Sequence, residues 1–308
     1  MLNLTKRSKF VNKKLYAHIL LFFAVFLFLP DVKAVTVPNS SVSTFSPEQR
    51  SSRTESLWIR PYSSFETIEL ENKNKVHNTG YGAYIGYDTN VIELNPDWDS
   101  VFTFHTGYTG SRQIYKGRNI VQNGGQIGVS GVFFRKNFYI GFLTNIGAAN
   151  AESHSDSENI NFAMLNSASA IKAGYNFELL NKKLMVQPSF LCAYLFVNTF
   201  DYLNGDNVMV KSEPVHSIQL MPGIKFTGNF DNGWEPYFGI QTVWNLMNES
   251  NFSANDVSVG DISVKPYVQY GIGVQKTDGE KYSGYVQATI RNGGRNGIVL
   301  SLGLRRYL

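Results

Sequence analysis

The sequence predicts an all-β protein, a transmembrane antiparallel β-barrel of twelve strands, with ten or fourteen strands as the alternatives. Three observations lead to this prediction. Apolar and polar residues alternate over stretches of about nine residues, and such stretches recur along most of the 308-residue chain. The chain opens on a segment typical of a secretory signal. Only 17% of its residues are charged and 27 are Gly, whereas soluble domains carry roughly 25% charged residues.

The same composition excludes three other classes of protein. The mean hydropathy of −0.18 is too polar for a bundle of membrane helices, which need apolar runs of roughly 20 residues. With 43% hydrophobic residues, most of the chain is not expected to be disordered. Cys192 is the single cysteine, so a disulfide scaffold is impossible, and its place between Phe190 and Tyr194 predicts a small lipid-facing side chain.

Residues 1–34 have the three parts of a cleaved secretory signal. A basic stretch runs to Lys14, an apolar stretch runs from Leu15 to Leu29, and small residues precede a cleavage site after Ala34. The uninterrupted apolar run is too short to span a bilayer comfortably, although an uncleaved anchor is the alternative. We therefore predict export through a cleaved signal peptide and localisation in the cell outer membrane.

The formal net charge of +4 belongs to this signal segment. The segment holds six of the 28 basic residues and one of the 24 acidic residues, which leaves 22 basic and 23 acidic residues in the rest of the chain. The exported part is therefore nearly neutral, and no nucleic-acid partner is predicted.

Residues 35–55 are predicted to form a polar linker or a segment that enters the lumen. None of the 27 Gly lies in residues 1–55, and residues 39–55 are rich in Ser, Thr and charged residues. This composition is typical of a linker. The stretch directly precedes the first strand and offers Glu48 and Glu55 to luminal arginines, so a partial plug is one reading and a disordered periplasmic tail is the other.

Residues 56–308 are predicted to form the barrel. In the clearest strand, apolar residues from Val268 to Val274 alternate with Gln and Gly from Gln269 to Gln275. A soluble sandwich also alternates, but its strands are usually about 5 to 6 residues long, and a face rich in Gly and Gln suits a crowded lumen. The twelve predicted strands are centred near Arg60, Tyr84, Phe104, Val129, Phe142, Ile171, Phe190, Ile224, Ile240, Tyr270, Val286 and Leu302.

The connections are predicted to alternate between short periplasmic turns and long extracellular loops, as in outer-membrane barrels. This arrangement places both chain ends in the periplasm. The predicted turns are 135–137, 181–183, 228–233 and 276–281, and the predicted loops are 111–123, 148–159, 198–215 and 247–262. The longer link 89–98 and the short hairpin 292–297 are exceptions to the pattern.

Several segments of this barrel region resemble a known family, the translocator barrels of bacterial autotransporters. The resemblance covers residues 56–308 and implies a twelve-stranded barrel in the outer membrane of a Gram-negative-type envelope. It also implies that the barrel assembly machinery recognises the C-terminal strand. The segments are Leu57–Tyr62, Gly82–Asp88, Gly128–Gly131, Ala173–Tyr175, Pro222–Gly223, Glu235–Tyr237, Tyr270–Gly273 and Arg291–Gly297.

Two features depart from the family pattern. Autotransporters carry a large passenger between signal and barrel, whereas residues 35–55 are too few for a folded passenger. We therefore expect a membrane anchor or narrow pore without its own passenger. The family usually ends on an aromatic residue, but here Tyr307 is followed by Leu308.

Four basic residues are predicted to point into the lumen: Arg60, Lys225, Arg291 and Arg305. An unpaired buried charge is costly, so they must find carboxylates, water or a plug segment. We expect them to pair with acids from the loops and the linker; the alternative is a pore that prefers anions.

Two other functions stay open: a surface adhesion or interaction protein that uses long extracellular loops, and an outer-membrane hydrolase. For a hydrolase, His77 and His216 near the outer rim are candidate general bases, and His105 is predicted to lie in the lumen. The acidic stretch around His154, residues 154–158, is read as a hydrated loop. The sequence predicts no catalytic residue, cofactor or metal site, and its expected partners are outer-membrane lipid, the assembly machinery and an extracellular ligand.

The signal assignment predicts a mature chain that begins at or near Val35, because signal peptidase cleaves after small residues. N-terminal sequencing of protein taken from the envelope measures this directly. A chain that began at Met1 would show the assignment to be wrong.

Overall fold

A computed structural model describes residues 55–69, 75–115, 118–155, 158–203, 209–212, 214–230, 233–246, 252–254, 257–259, 264–277 and 281–308. Within them the chain forms twelve long antiparallel strands. These are β1 Ser56–Glu69, β2 Lys75–Asp88, β3 Trp98–Tyr115, β4 Arg118–Arg135, β5 Phe138–Ser155, β6 Glu158–Tyr175, β7 Leu184–Thr199, β8 Val215–Gly228, β9 Trp234–Leu246, β10 Tyr267–Lys276, β11 Tyr282–Gly293 and β12 Arg295–Tyr307. No helix in the described residues is long and apolar enough to cross a membrane.

The sheet closes on itself. Each long strand pairs with the next one along the chain, and β12 pairs with β1, from Ser56 opposite Tyr307 to Ile68 opposite Arg295. Closure gives every long strand a partner on both sides, which is what a sheet needs in lipid, where an open edge leaves backbone groups unpaired. The prediction of a twelve-stranded antiparallel barrel is confirmed.

Six shorter strands extend the two rims. Ile92–Asn95 pairs with β3, and Phe177–Leu179 pairs with β7. The other four make a second small sheet, in the order Tyr202–Leu203, Met209–Ser212, Phe252–Ala254 and Val257–Val259. This sheet, called the loop sheet below, joins the connection between β7 and β8 to the connection between β9 and β10.

The barrel has two distinct rims. At the rim called the terminal rim, the Leu308 N–H donates to the Glu55 carbonyl at 2.9 Å. The predicted turns 135–137 and 181–183 lie at this rim, where β4 meets β5 and β6 is followed by β7. The opposite rim, called the far rim, carries the loop sheet.

Two predicted loops, 111–123 and 148–159, are wrong. The described residues of both segments belong to strands, so that Tyr115 lies opposite Arg118 and Ser155 lies opposite Glu158. The four strands β3 to β6 are therefore 18 residues long, whereas β10 has 10. Eighteen residues span roughly 60 Å along the strand, and even with a tilt of about 40° they rise well beyond an apolar band of about 25 Å.

The inside-outside pattern reverses along these long strands. At mid-height the outer face is apolar, as at Ile127 and Phe104, and the inner face carries polar residues such as Gln126. Toward the far rim the outer face becomes polar and exposed, as at Asn150 and Asn161. The inner face there becomes an apolar cluster, called the far-rim collar: Ile120, Ala149, Ala151, Ile160, Phe162, Met164 and Val197, joined by Tyr202 and Val210 of the loop sheet.

The collar holds the loop sheet in place. The rings of Phe162 and Tyr202 stack with centroids 5.1 Å apart, and both side chains are buried. Burial of apolar surface from water stabilises this contact, since the polar outer face shows that the collar lies above the lipid. The loop sheet is thus an ordered part of the far rim.

Aromatic side chains cover glycines on neighbouring strands. The Trp58 ring lies over Gly86, the Tyr84 ring lies over Gly107, and a side chain on either glycine would overlap the ring. The same relation holds for Tyr139 over Gly174, Tyr237 over Gly273 and Tyr285 over Gly303. Each of these glycines therefore leaves room for a flat aromatic ring from a neighbouring strand. The ring in turn covers the glycine backbone, an arrangement known as aromatic rescue.

The outward assignment of β10 predicts a contrast between two neighbouring residues. Ile272 is 58% exposed on the outer face, so Ile272→Arg is expected to destabilise the barrel by about 2–4 kcal/mol in lipid. A Cβ at inward Gly271 would lie at an ordinary 3.4 Å from Gln287 Nε2 and Thr289 Oγ1, so Gly271→Ser is expected to cost much less. Denaturant unfolding in lipid vesicles measures both, and equal losses would contradict the assigned orientation.

Candidate functional site

The barrel interior carries both buried charges and a contiguous apolar cluster. Arg60, Arg291 and Arg305 are buried on the inner face, and the Lys225 Nζ is fully buried there as well. The apolar cluster consists of Leu143, Ala168, Ala170, Leu191, Ala193, Leu195, Met221, Val243 and Tyr267.

The charges nearest the far rim form one ion-pair cluster. Arg291 Nη1 lies 2.7 Å from Glu66 Oε2, and Arg295 Nη1 lies 3.4 Å from Glu66 Oε1. Asn78 Nδ2 donates to Glu66 Oε1 at 3.0 Å. Glu66 belongs to β1 and lies opposite Asn78 on one side and Gly297 of β12 on the other. The cluster therefore ties the first strand to the last two.

The charges nearest the terminal rim form a second cluster around Asp88. Arg305 Nη2 lies 2.7 Å from Asp88 Oδ2, and Asp88 also accepts from Ser56 Oγ at 3.3 Å. Trp58 Nε1 and Thr103 Oγ1 donate to Asp88 Oδ1 at 3.0 and 2.6 Å. Because Asp88 of β2 binds one residue of β12, two of β1 and one of β3, this cluster also ties the seam of the barrel.

Arg291 and Arg305 pair with carboxylates of the barrel wall, a source of acids other than the loops and linker named in the sequence analysis. Arg291 of β11 pairs with Glu66 of β1, and Arg305 of β12 pairs with Asp88 of β2, so each pair spans one intervening strand. Glu55, expected to enter the lumen, lies at the terminal rim, where its Oε1 accepts from Asn90 Nδ2 at 3.1 Å. The register of β12, β1 and β2 places Glu66 and Asp88 at the same heights as the arginines that they bind. Glu48 lies outside the described residues.

At mid-height, Arg60 and Lys225 contact aromatic rings. Arg60 Cζ lies 5.0 Å from the Trp58 ring centroid and 5.7 Å from that of Tyr285. Lys225 Nζ lies 4.1 Å from the Tyr237 ring centroid. Within the described residues neither cation has a carboxylate within ion-pair distance, so cation–π attraction is the electrostatic support that the wall gives them.

These two cations line a luminal cavity of about 150 Å³. Lys172 lines it too, and it was missed because the alternation of β6 is masked by inward Ala168 and Ala170. The lining holds five tyrosines and four glutamines but no Asp or Glu among the described residues. We call this space the mid-lumen chamber; it combines positive charge with neutral hydrogen-bond donors.

The candidate hydrolase residues do not converge on the chamber. His77 Nδ1 is 3.1 Å from Thr67 Oγ1, and His216 Nδ1 is 2.6 Å from the Tyr194 hydroxyl, both on the exposed outer face of the wall. Inward His105 lies beside the Trp58 and Tyr84 rings.

The predicted hydrated loop 154–158 is largely replaced by strand. His154 Nε2 lies 3.5 Å from Glu152, whereas Asp156 and the side chain of Glu158 fall outside the described residues. The described part of the chain holds no group of three His, Cys, Asp or Glu side chains arranged to bind a metal. Cys192 is exposed on the outer face, in line with the lipid-facing prediction.

Comparison with known proteins identifies related barrels. Residues 57–289 match the family model described as the autotransporter beta-domain. The transport unit of the autotransporter AIDA-I from Escherichia coli matches with a TM-score of 0.73 at 15% identity, covering 87% of this chain and 94% of that chain. The translocator domain of NalP from Neisseria meningitidis matches with a TM-score of 0.71 at 10% identity, covering 90% and 95%.

A third structure, the beta domain of the Bordetella autotransporter BrkA, matches with a TM-score of 0.67 at 17% identity, covering 83% of this chain and 99% of that chain. At these identities the structural matches speak for the fold alone. No curated protein sequence matches the chain.

The far-rim cluster predicts a large effect of its one carboxylate. Glu66→Ala leaves the guanidinium groups of Arg291 and Arg295 close together without the anion between them, and loss of one partner of a buried pair costs about 3–5 kcal/mol. Glu69→Ala is the matched control, because Glu69 pairs with exposed Lys75 at 3.2 Å and surface pairs contribute about 0–1 kcal/mol. Denaturant unfolding in detergent measures the free energy of unfolding of both variants. Equal losses would show that the buried cluster stabilises the barrel no more than the surface pair does.

Proposed function

Because the chain belongs to the autotransporter β-domain family, we propose that it acts in the outer membrane as an anchor or narrow pore. Proteins of this family are outer-membrane barrels. Within these 308 residues, only 35–55 lie between the predicted signal and the barrel, which supports action without a passenger in that position. In this proposal the terminal rim faces the periplasm and the far rim faces the outside.

The mid-lumen chamber is the observation that carries the pore reading. A barrel of twelve strands lies between an eight-stranded one, filled by its side chains, and a sixteen-stranded porin with an open channel. The chamber lies at the level of Arg60 and Lys225, between two ion-pair clusters that line the wall near the rims. Buried cations at mid-height are stabilised by water or anions beside them. Water or ions at this level of the lumen are also what a conducting pore requires.

Two partners follow from the same placement. The outer face presents large apolar side chains to the lipid, as at Ile127, Ile171 and Leu304. The last strand, β12, is the one that the assembly machinery is proposed to recognise. Its outward residues Leu300, Leu302 and Leu304 alternate with inward Ser301 and Gly303.

A second function, surface adhesion, is favoured by the far rim. The loop sheet is packed on the collar through Tyr202 and Val210, so it presents a defined surface. An ordered surface loses less conformational entropy on binding than a flexible loop does. This reading needs no conduction through the lumen.

Conductance in planar bilayers tests the pore and the predicted plug together. Deletion of residues 39–54 is expected to raise single-channel conductance several-fold, since a segment inside the lumen narrows the path. Glu55 is kept because it bonds to Asn90 and Leu308 at the terminal rim.

The matched control replaces residues 39–54 with a Gly/Ser segment of equal length. Comparing its conductance with that of the deletion separates the effect of the segment's volume from the effect of its charges. An unchanged conductance after deletion would place the segment outside the lumen. A barrel that conducts in neither form would favour the adhesion function over the pore.

A further inference from the structure

We propose that the mid-lumen chamber is a binding site for a small polyvalent oxyanion, namely phosphate or a phosphate group on a small solute. The proposal goes beyond the anchor or pore function, because it assigns a ligand class to one level of the lumen. It rests on the barrel being folded in a membrane, and on the cations that line the chamber.

The charge balance of the lumen differs sharply between levels. Near the rims, Arg291 and Arg305 have wall carboxylates at 2.7 Å. At mid-height, Arg60 and Lys225 line one cavity whose described lining includes no carboxylate. Arg60 is only 9% exposed. Among the described residues these two cations therefore have no acid in the cavity that they line, and buried positive charge is stabilised by an anion.

Two of the cations have buried donor atoms that no described residue engages. These atoms are Arg60 Nε and Lys225 Nζ, which have no hydrogen-bond partner within the described part of the chain. Glu235, the acid on β9, is already engaged by Gln275 and by Thr277 Oγ1 at 2.7 Å. Arg60 Nε and Lys225 Nζ are therefore available to a ligand that brings its own negative charge.

The rest of the lining suits an oxyanion more than an organic cation or an apolar solute. Glutamine amides and serine or threonine hydroxyls, such as those of Gln187, Ser189 and Ser301, face the cavity beside the cations. Arginine presents a planar fork of donors that matches phosphate oxygens, and lysine contributes a point charge. The volume of about 150 Å³ is roughly that of five water molecules, enough for one tetrahedral oxyanion with water or a short organic tail.

Isothermal titration of the full-length barrel, folded in nonionic detergent at low salt, with inorganic phosphate tests the proposal. Saturable binding is expected, and Arg60→Gln and Lys225→Gln should each weaken it at least about tenfold, as expected for loss of one charge-assisted hydrogen bond. Arg60→Lys should fall between, since it keeps the charge but loses the fork. Lys183→Gln, at the exposed terminal rim, is the matched control and should bind like the wild type.

Thermal unfolding supplies a second measurement that does not depend on the variants. Phosphate should raise the Tm of the wild-type barrel, whereas chloride at equal ionic strength should not. Absence of saturable binding to the folded wild type would overturn the proposal, and so would wild-type affinity in both Gln variants. Binding that appears only after deletion of residues 39–54 would also overturn it, since the cations would then serve a carboxylate of that segment. Retained conductance without phosphate binding would leave the anchor or pore function standing.

Discussion

Closure of the sheet is the constraint on which the rest of this structure depends. In lipid every backbone N–H and C=O needs a partner within the protein, so the first and last strands must find each other across the whole chain. That seam is the pairing with the largest sequence separation, and both luminal ion-pair clusters cross it. Glu66 of β1 holds Arg291 and Arg295 of β11 and β12, and Asp88 of β2 holds Arg305 of β12. The side chains thus reinforce the pairing that contributes most to the barrel's integrity.

The electrostatics of the lumen follow from this arrangement. Acids and bases on strands of the seam meet at heights fixed by the backbone register, so Glu66 and Asp88 compensate the arginines beside them. At mid-height the wall offers aromatic faces to Arg60 and Lys225, and β7, the strand next to that of Lys225, is apolar at Leu191 and Leu195. The positive charge of the interior is consequently concentrated at one level, although the exported chain as a whole is nearly neutral.

The sequence was sufficient for the strand number, because apolar and polar residues that alternate with a period of two indicate a wall with lipid on one side. The prediction failed where the outer face of a strand changes from apolar to polar. Residues such as Asn119, Asn150 and Asn161 resemble a loop, yet they are the wet outer face of strands that continue beyond the lipid. Lys172 was missed because its strand is lined inside by alanines, which erase the contrast between faces. Glu66 follows the same inward parity as Arg60, so a search for acids along β1 finds it.

Because the polarity of the two faces reverses along a single strand, the same substitution has different effects in the middle of the strand and at its far end. On β4, Gln126 and Ile120 point to the same side of the wall, six residues apart. At Gln126 the surroundings are polar and lipid lies behind the wall, whereas at Ile120 the surroundings are apolar and water lies behind it. The far end of β4 is therefore packed like a strand of a soluble protein, with its apolar side facing inward. The middle of β4 is packed like a strand of a membrane protein, with its apolar side facing the lipid. Substitutions in the far-rim collar leave the membrane-inserted part of the strand unchanged, so the far end and the middle of one continuous strand are free to diverge at different rates.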